Sequence, residues 1–207
     1  MTAHEQVRVD LLGAARVRRC GEVLPLDGWS HRRAAELVEL LALADGRHRL
    51  LRDQVIEALW PHLDAAAGAA NLRKAAHHAR RTLGTPDAVV LRGGVVALFP
   101  GTPVVTDVAT FERAADEALR SADPDRCAAA ADLCTGDLLP SALYEEWTQD
   151  RRAALRRRHR ELLRRCGRWD ELVAADPTDE DAYRGLMRAA YDRGDRATAI
   201  RWYGRLR

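Results

Sequence analysis

An alanine-rich stretch without acids most constrains what this chain can fold into. The 22 residues between Asp64 and Asp87, AAAGAANLRKAAHHARRTLGTP, contain no carboxylate, although charged residues make up 31% of the sequence. Four apolar residues in the stretch recur at helical spacing, namely Leu72, Ala76, Ala79 and Leu83. This spacing places them on one face of a helix. The sequence therefore predicts a helix over 65–83 with a buried stripe and a basic outer face.

A β-hairpin signal follows this helix immediately. The segment VVLRGGVVAL predicts strands over 89–91 and 95–98, joined through Arg92, Gly93 and Gly94. A Gly-Gly pair tolerates the positive φ angles that a tight hairpin turn requires. A basic helix followed by a short hairpin is typical of a winged-helix DNA reader, in which one element enters the major groove. We therefore expect binding to double-stranded DNA.

The polar residues of the basic helix are the first candidate DNA contacts. They are Asn71, Arg73, Lys74, His77, His78 and Arg81. Arginine and lysine contact guanine or phosphate, and asparagine pairs with adenine. Arg81 is favoured as a phosphate contact because Arg80 leans toward the apolar stripe. The two histidines could donate to phosphate or base, or act as neutral spacers. The alternative for the whole face is a solvated basic surface.

Three further arginines are candidate contacts to the DNA backbone. Arg32 and Arg33 stand at the start of a helix predicted over 31–45, with Ser30 as its N-cap and Gly46 as its end. Positive side chains oppose the helix dipole at this end, and a bound phosphate would reverse that penalty. Arg92 at the hairpin turn is a candidate for phosphate or the minor groove. Simple solvent exposure is the alternative at all three positions.

The remaining patterns complete a two-domain organisation. Short strands are predicted over 7–11, 15–18 and 22–26, and a helix over 52–60 is stopped by Pro61. The segment PGTPVVT, 100–106, is the best boundary because two prolines and a glycine separate strand-like from helical sequence. Only helices are predicted beyond it, over 107–121, 124–134, 143–166, 168–175, 179–193 and 195–207. The expected fold is an α+β winged helix in residues 1–105, with a small antiparallel sheet, three helices and a C-terminal hairpin, followed by an all-α domain in residues 106–207.

Several classes of function find no support in the sequence. Catalytic motifs such as GxSxG and HExxH are absent, as is a phosphate-binding GxxxxGK[ST] loop. The four cysteines form no CxxC pair and no cluster with zinc spacing. No enzyme activity, cofactor or metal is therefore expected. No apolar run reaches the length of a membrane span and no secretory leader is visible, so we expect a cytoplasmic protein.

An arginine-rich run invites a second nucleic-acid site. The segment RRAALRRRHRELLRRCGR, 151–168, contains nine arginines and one glutamate. Leu155, Leu162 and Leu163 are interspersed among them, which favours a long helix whose arginine stems cover apolar surface. The structural interpretation is preferred, and the second site is the alternative.

The last 26 residues, AYRGLMRAAYDRGDRATAIRWYGRLR, resemble a tetratricopeptide repeat. Small residues in such a repeat let two helices approach, and large ones fill the gaps between stacked pairs. The turn falls at Gly194 and Asp195. The helical domain is thus expected to be tetratricopeptide-like.

A family resemblance covers the whole chain. Its N-terminal motifs are VDLLGAARVRR, HRRAAELVELLAL, DQVIEALWP and NLRKAAHHARRTLG; its C-terminal ones are DVATFERA, TGDLLP, the spacing of Trp147 and Arg151, and DPTDEDAYRGLMRAAYDRGDRATA. In this order they resemble the actinobacterial antibiotic regulatory protein (SARP) type of transcriptional activator. That family joins an OmpR-like winged helix to a bacterial transcriptional activation domain. His77 and His78 depart from the family's usual serine or similar polar residue, which leaves base preference open.

The resemblance implies a sequence-specific activator of a biosynthetic or pathway-specific gene cluster. It also implies binding to promoter DNA with direct repeats as a homodimer, contact with RNA polymerase holoenzyme, and association with the nucleoid. The alternative is a helical protein–protein interaction adaptor whose winged helix no longer binds DNA. The sequence leaves open the target promoter, any effector or phosphorylation control, the dimer interface, and whether an ATPase or further repeats follow Arg207.

Overall fold

The computed structural model of the chain describes residues 6–45, 47–121 and 123–206. The chain divides into two compact units. One unit comprises Met1–Thr110 with Thr135–Ala153, and the other comprises Phe111–Cys134 with Ala154–Arg207. In chain order the elements are β1 (Val7–Asp10), β2 (Arg16–Arg19), β3 (Glu22–Pro25), α1 (Arg32–Leu43), β4 (Arg49–Leu51), α2 (Arg52–Leu59), α3 (Ala65–Thr82), β5 (Val89–Arg92), β6 (Val95–Leu98), β7 (Val104–Thr106), α4 (Asp107–Ser121), α5 (Pro124–Ala131), α6 (Glu146–Arg165), α7 (Trp169–Ala175), α8 (Glu180–Asp192) and α9 (Arg196–Leu206).

The first unit begins with a four-stranded sheet in the order β3-β2-β1-β7. Strands β1, β2 and β3 pair antiparallel, as the alternating sequence predicts. Val7, Val9 and Val17 are buried on its inner side. Strand β7 pairs with β1 in parallel and lies inside the segment 100–106, which the sequence predicts only as a boundary. Strand β4 is likewise absent from the sequence-based assignment.

The predicted hairpin forms the core of a second sheet, in the order β4-β6-β5. Gly93 and Gly94 make the turn between β5 and β6 with φ angles of 58° and 76°. Two consecutive positive φ angles are what a two-residue hairpin turn requires, and glycine adopts them without strain. The amide of Arg52 donates to the carbonyl of Gly94 over 2.8 Å, so the turn is attached to the start of α2.

Helices α1, α2 and α3 follow the predicted spans, with differences at their ends. Asp64 caps α3 by accepting a hydrogen bond from the amide of Ala67 over 2.8 Å. The N-cap of α1 is His31, which makes no capping bond through its side chain. The prediction of Ser30 as the cap is therefore wrong, and the Ser30 hydroxyl instead lies 3.0 Å from Nδ1 of His31. Helix α1 ends at Leu43, and the predicted terminator Gly46 lies outside the described residues.

Helix α3 is held close to α2 at a glycine. A Cβ added to Gly68 would overlap the side chain of Ile56 on α2. Isoleucine is stiff in a helix because its Cβ is branched, so this side chain has little freedom to move away. The glycine therefore sets the distance at which the helix with the basic face packs on its neighbour.

We predict that Gly68→Ala lowers the free energy of unfolding. Overpacking costs about 1–3 kcal/mol, which exceeds the gain of about 1 kcal/mol from replacing a helical glycine by alanine. Urea unfolding followed by circular dichroism measures the change. Gly204→Ala is the control, because a Cβ at this helical position of α9 meets nothing within 4 Å. An unfolding free energy for Gly68→Ala equal to or above that of the parent chain would contradict the packing argument.

A buried carboxylate joins β1 to the start of α4. Asp107 accepts backbone hydrogen bonds of 2.8–2.9 Å from the amides of Leu11, Leu12 and Val108. Residues 135–153 add to the same region, where the amide of Leu139 donates to the carbonyl of Leu11 over 2.9 Å. Burial raises the pKa of Asp107, while the three amides act in the opposite direction.

We predict that Asp107→Asn destabilises the first unit by about 1–3 kcal/mol, because the amide nitrogen cannot accept a hydrogen bond and leaves a buried donor unsatisfied. Thermal unfolding measures the loss. Asp45→Asn neutralises a carboxylate that is 97% exposed and is expected to change stability by no more than about 0.5 kcal/mol. Equal effects of the two substitutions would refute the role of Asp107.

Arginine side chains organise the segment that the sequence marks as arginine-rich. Within the first unit, Arg152 is buried and donates to the carbonyls of Leu138, Leu139, Ala142 and Leu143. Within the second unit, Arg158 pairs with Glu112 and Asp116, Arg164 with Asp179, and Arg168 with Asp132 and Glu171. This engagement with carbonyls and carboxylates agrees with the structural interpretation of residues 151–168.

All regular secondary structure in the described residues of the second unit is helical. Helices α8 and α9 lie on either side of Gly194 and pack against each other, as the tetratricopeptide pattern predicts. The rings of Tyr183 and Trp202 meet edge to face with centroids 6.0 Å apart. Gly185 leaves room for the ring of Trp169, which a Cβ at that position would overlap. A search of the described helices finds none that is long and apolar enough to cross a membrane.

Candidate nucleic-acid interface

The outer face of α3 carries the exposed cations that the sequence predicts. Leu72, Ala76 and Ala79 are fully buried against the neighbouring helices. Four residues on the opposite side are exposed, namely Arg73, Lys74, His77 and Arg81. Because residues four apart lie above one another on a helix, these side chains share one face. We call these four residues the basic face.

The charges of the basic face are not neutralised within the described part of the chain. Arg73, Lys74 and Arg81 make no ion pair or hydrogen bond with another described residue. Arg80 differs, since its Nε donates to the carbonyl of Val89 over 2.7 Å and fastens α3 to the hairpin. The outward cations are therefore available to an anionic partner, whereas Arg80 is a structural residue.

A groove connects the basic face to the hairpin. It has a volume of about 230 Å³ and is lined by Arg52, Arg73 and Arg92 together with the glycines of the turn. The three arginines come from α2, α3 and β5. Helix α3, the start of α2 and the hairpin thus line one basic concavity. A winged helix needs such an arrangement to contact a DNA groove and the adjacent phosphates at the same time.

A second concavity extends positive charge along the outer side of the hairpin sheet. It measures about 630 Å³ and is lined by Arg47, Arg49 and Arg92 with apolar residues of β5 and β6. Arg47 and Arg49 were not among the sequence candidates. The sequence does contain a basic segment here, RHRLL at 47–51. Its arginines join the surface of the hairpin only because β4 pairs with β6.

Arg32 and Arg33 lie in a different electrostatic environment. Arg32 pairs with Glu36 over 2.5 Å and with Glu145 over 3.3 Å. Arg33 pairs with the same two carboxylates over 2.6 and 3.2 Å. A phosphate at this site would have to compete with two carboxylates. Arg32 and Arg33 are therefore paired with carboxylates, unlike the arginines of the basic face.

The histidines are arranged differently from one another. His77 is exposed, whereas His78 is half-buried and its ring stacks on that of His31, with centroids 3.4 Å apart and planes 14° apart. Burial lowers the pKa of His78, and the nearby His31, His77 and Arg81 lower it further. His78 is thus a packing residue between α3 and the start of α1. Asn71 is half-buried at the N-terminal side of the basic face.

No group of three or more His, Cys, Asp or Glu side chains able to hold a metal ion occurs among residues 6–45, 47–121 and 123–206. The arrangement is thus one of positive charge and hydrogen-bond donors on protruding elements. Its chemistry suits the recognition of phosphates and base edges.

Comparisons with known proteins concern the C-terminal half of the chain and its overall fold. Residues 106–207 match the family model of the bacterial transcriptional activator domain. The fold is similar to that of Mycobacterium tuberculosis EmbR, solved in complex with a low affinity phosphopeptide, with a TM-score of 0.70 and 16% identity over 98% of this chain. The chain spans 59% of the length of that protein. A search of curated proteins gives no match.

The match of residues 106–207 to the activator-domain model and the similarity of fold agree with the SARP-type resemblance. The winged-helix unit followed by helices is likewise confirmed as the fold. The activator-domain family that residues 106–207 match is one of regulators and not of enzymes.

We predict that His78 titrates below the ordinary histidine pKa of about 6.5 and that His31→Ala raises its pKa. Removing the stacked ring opens His78 to water and removes one repulsive neighbour, and both changes favour the protonated form. Proton NMR of the ring Cε1–H signals across pH 5–8 measures the midpoint. His62→Ala, which removes a histidine from an exposed position, is the control. An unchanged His78 midpoint in His31→Ala would contradict the stacked arrangement.

Proposed function

We propose that this protein is a sequence-specific, double-stranded DNA-binding transcriptional activator of a biosynthetic or pathway-specific gene cluster. Residues 1–105 bind promoter DNA and residues 106–207 act on the transcription machinery. The single observation that supports DNA binding most strongly is the basic face of α3, whose cations have no partner in the described part of the chain.

In this proposal α3 enters the major groove. Arg73 and Lys74 lie at the N-terminal end of the basic face, and Arg73 lines the groove that contains Arg92. They contact base edges or phosphates, and a good bidentate contact between arginine and guanine discriminates against other bases by about 1–3 kcal/mol. Asn71 reads adenine at the N-terminal side of the face. His77 is close enough along the helix to donate to a base or a phosphate.

The hairpin and the end of α3 contact the phosphates in this proposal. Arg81 lies one turn beyond His77, and Arg92 adjoins the positive-φ turn of the hairpin. Arg52, which also pairs with Asp53 over 3.5 Å, lines the same groove as Arg92. Such contacts fix the register of the protein on the duplex without reading sequence.

Arg32, Arg33 and His78 have secondary roles in this proposal. The two arginines reach phosphate only by leaving Glu36 and Glu145, which makes their contribution smaller than that of an unpaired cation. His78 supports the orientation of α3 through its stack on His31. They belong to the edge of the interface.

The partners follow from the family. We propose a homodimer on direct repeats of promoter DNA, with residues 106–207 contacting RNA polymerase holoenzyme, in the cytoplasm at the nucleoid. The match of residues 106–207 to the activator-domain family supports the activating role. The rival hypothesis is an interaction adaptor whose winged helix no longer binds DNA.

The double substitution Arg73→Ala with Lys74→Ala tests the DNA interface. Duplexes enriched by the parent protein from a random-sequence pool serve as probes, and gel shifts at several salt concentrations give affinity and its salt dependence. We expect loss of sequence-specific binding, and a salt slope reduced by about one unit for each phosphate contact removed. Circular dichroism verifies that the variant is folded.

The matched control is Arg113→Ala with Arg120→Ala on α4, which removes two exposed positive charges from the helical unit. We expect this variant to bind the selected duplexes with unchanged affinity. Equal binding by the Arg73/Lys74 variant would refute the site. Failure of the parent protein to enrich any duplex, with no salt-dependent affinity between about 50 and 200 mM, would favour the adaptor.

A further inference from the structure

A cavity of about 350 Å³ lies beside the first half of α1 in the winged-helix unit. Its walls include Asp27, Trp29, Arg32, Glu36 and Glu39. Ser141 and Ala142 close it from the segment that follows α5. The cavity is separate from the basic face, and it has the size of a small-molecule site.

Glu39 is the residue of this cavity that other interactions do not explain. Its surface is only 3% exposed, and it accepts no hydrogen bond from any residue that the structure describes. Glu36, one turn earlier on α1, is equally buried but forms ion pairs with both Arg32 and Arg33. A buried carboxylate without a partner is costly in free energy. Glu39 is therefore a largely buried carboxylate at the wall of an open cavity, with no hydrogen-bond donor among the described residues.

The charges on the cavity walls indicate which kind of ligand could pair with the Glu39 carboxylate. Three carboxylates line the cavity, on Asp27, Glu36 and Glu39, against the single guanidinium of Arg32, which Glu36 already engages. The indole of Trp29 adds an aromatic wall, and aromatic faces attract cations. Because no cluster of three metal-ligating side chains occurs among the described residues, these features favour an organic cation over a metal ion.

We propose that this cavity binds a small organic cation whose ammonium, amidinium or guanidinium group pairs with Glu39. The apolar part of the ligand lies against Trp29 and Leu26. The ligand supplies the hydrogen-bond donor that Glu39 lacks within the chain. The amidinium or guanidinium form fits best, since its parallel N–H donors can engage both oxygens of one carboxylate.

This site has a defined pH dependence. Burial and the nearby Glu36 raise the pKa of Glu39 to about 7, with Asp27 and Glu145 acting in the same direction and Arg32 in the opposite one. The ionised form of Glu39 therefore grows between pH 6 and pH 8. Since the cation pairs with that form, affinity increases across this range by about tenfold.

Benzamidine and benzamide are suitable probes for the test. The two molecules have nearly the same shape, but only benzamidine carries a positive charge. Isothermal titration calorimetry of the full chain at pH 8 compares them. We expect saturable binding of benzamidine at one site, and benzamide binding at least about tenfold weaker. Equal affinities, or no benzamidine binding up to about 10 mM, overturn the proposal.

The Glu39→Gln variant locates the site. It preserves the shape of the side chain and removes the buried charge, and circular dichroism verifies its fold. We expect the affinity for benzamidine at pH 8 to fall at least about tenfold and its dependence on pH to disappear. Glu57→Gln on α2, which neutralises an exposed carboxylate, is the matched control and is expected to bind as the parent does.

Two outcomes of the variant experiment decide against the site. Unchanged benzamidine affinity in Glu39→Gln places the ligand elsewhere and overturns the proposal. Equal losses in Glu39→Gln and Glu57→Gln reveal a general charge effect and overturn it as well. If Glu39→Gln does not fold, the comparison of benzamidine with benzamide between pH 6 and pH 8 in the parent chain decides alone.

Discussion

The burial of the apolar stripe of α3 is the interaction on which the rest of the winged-helix unit depends. Leu72, Ala76 and Ala79 are removed from water against α1 and α2, and Gly68 allows the close approach to Ile56. Because a helix is rigid, fixing one face inward fixes the opposite face outward. Arg73 and Lys74 are exposed for this reason, and apolar burial thereby provides an orientation that electrostatics alone would not.

Carboxylates divide the arginines of this protein into two groups. Those near acids, such as Arg32 and Arg158, are engaged in ion pairs that link distant parts of the chain within a unit. Those of the acid-free helix and the hairpin, such as Arg73 and Arg92, have no such partner in the described residues. Arginine abundance therefore says little about nucleic-acid binding in this chain, whereas the local absence of acids says more.

Local patterns could be predicted well and long-range pairings could not. Helix α3 was expected over 65–83 and spans Ala65–Thr82, because its stripe and its cap are local signals. Strands β4 and β7 were missed, since each has three residues and exists only through pairing with a strand far away in sequence. Ser30 failed as a cap because the helix begins one residue later than the apolar pattern indicates.

The sequence by itself determined the helices, the basic helix with its hairpin, and the similarity of residues 106–207 to the activator-domain family. Tertiary structure alone decided which charges remain free. It brought Glu145 to Arg32 and Arg33 across more than a hundred residues, gathered Arg52, Arg73 and Arg92 into one groove, and left Glu39 facing a cavity without a donor. The physical reason is that helical periodicity is encoded within a few residues, whereas the partner of a charge depends on how the whole unit closes.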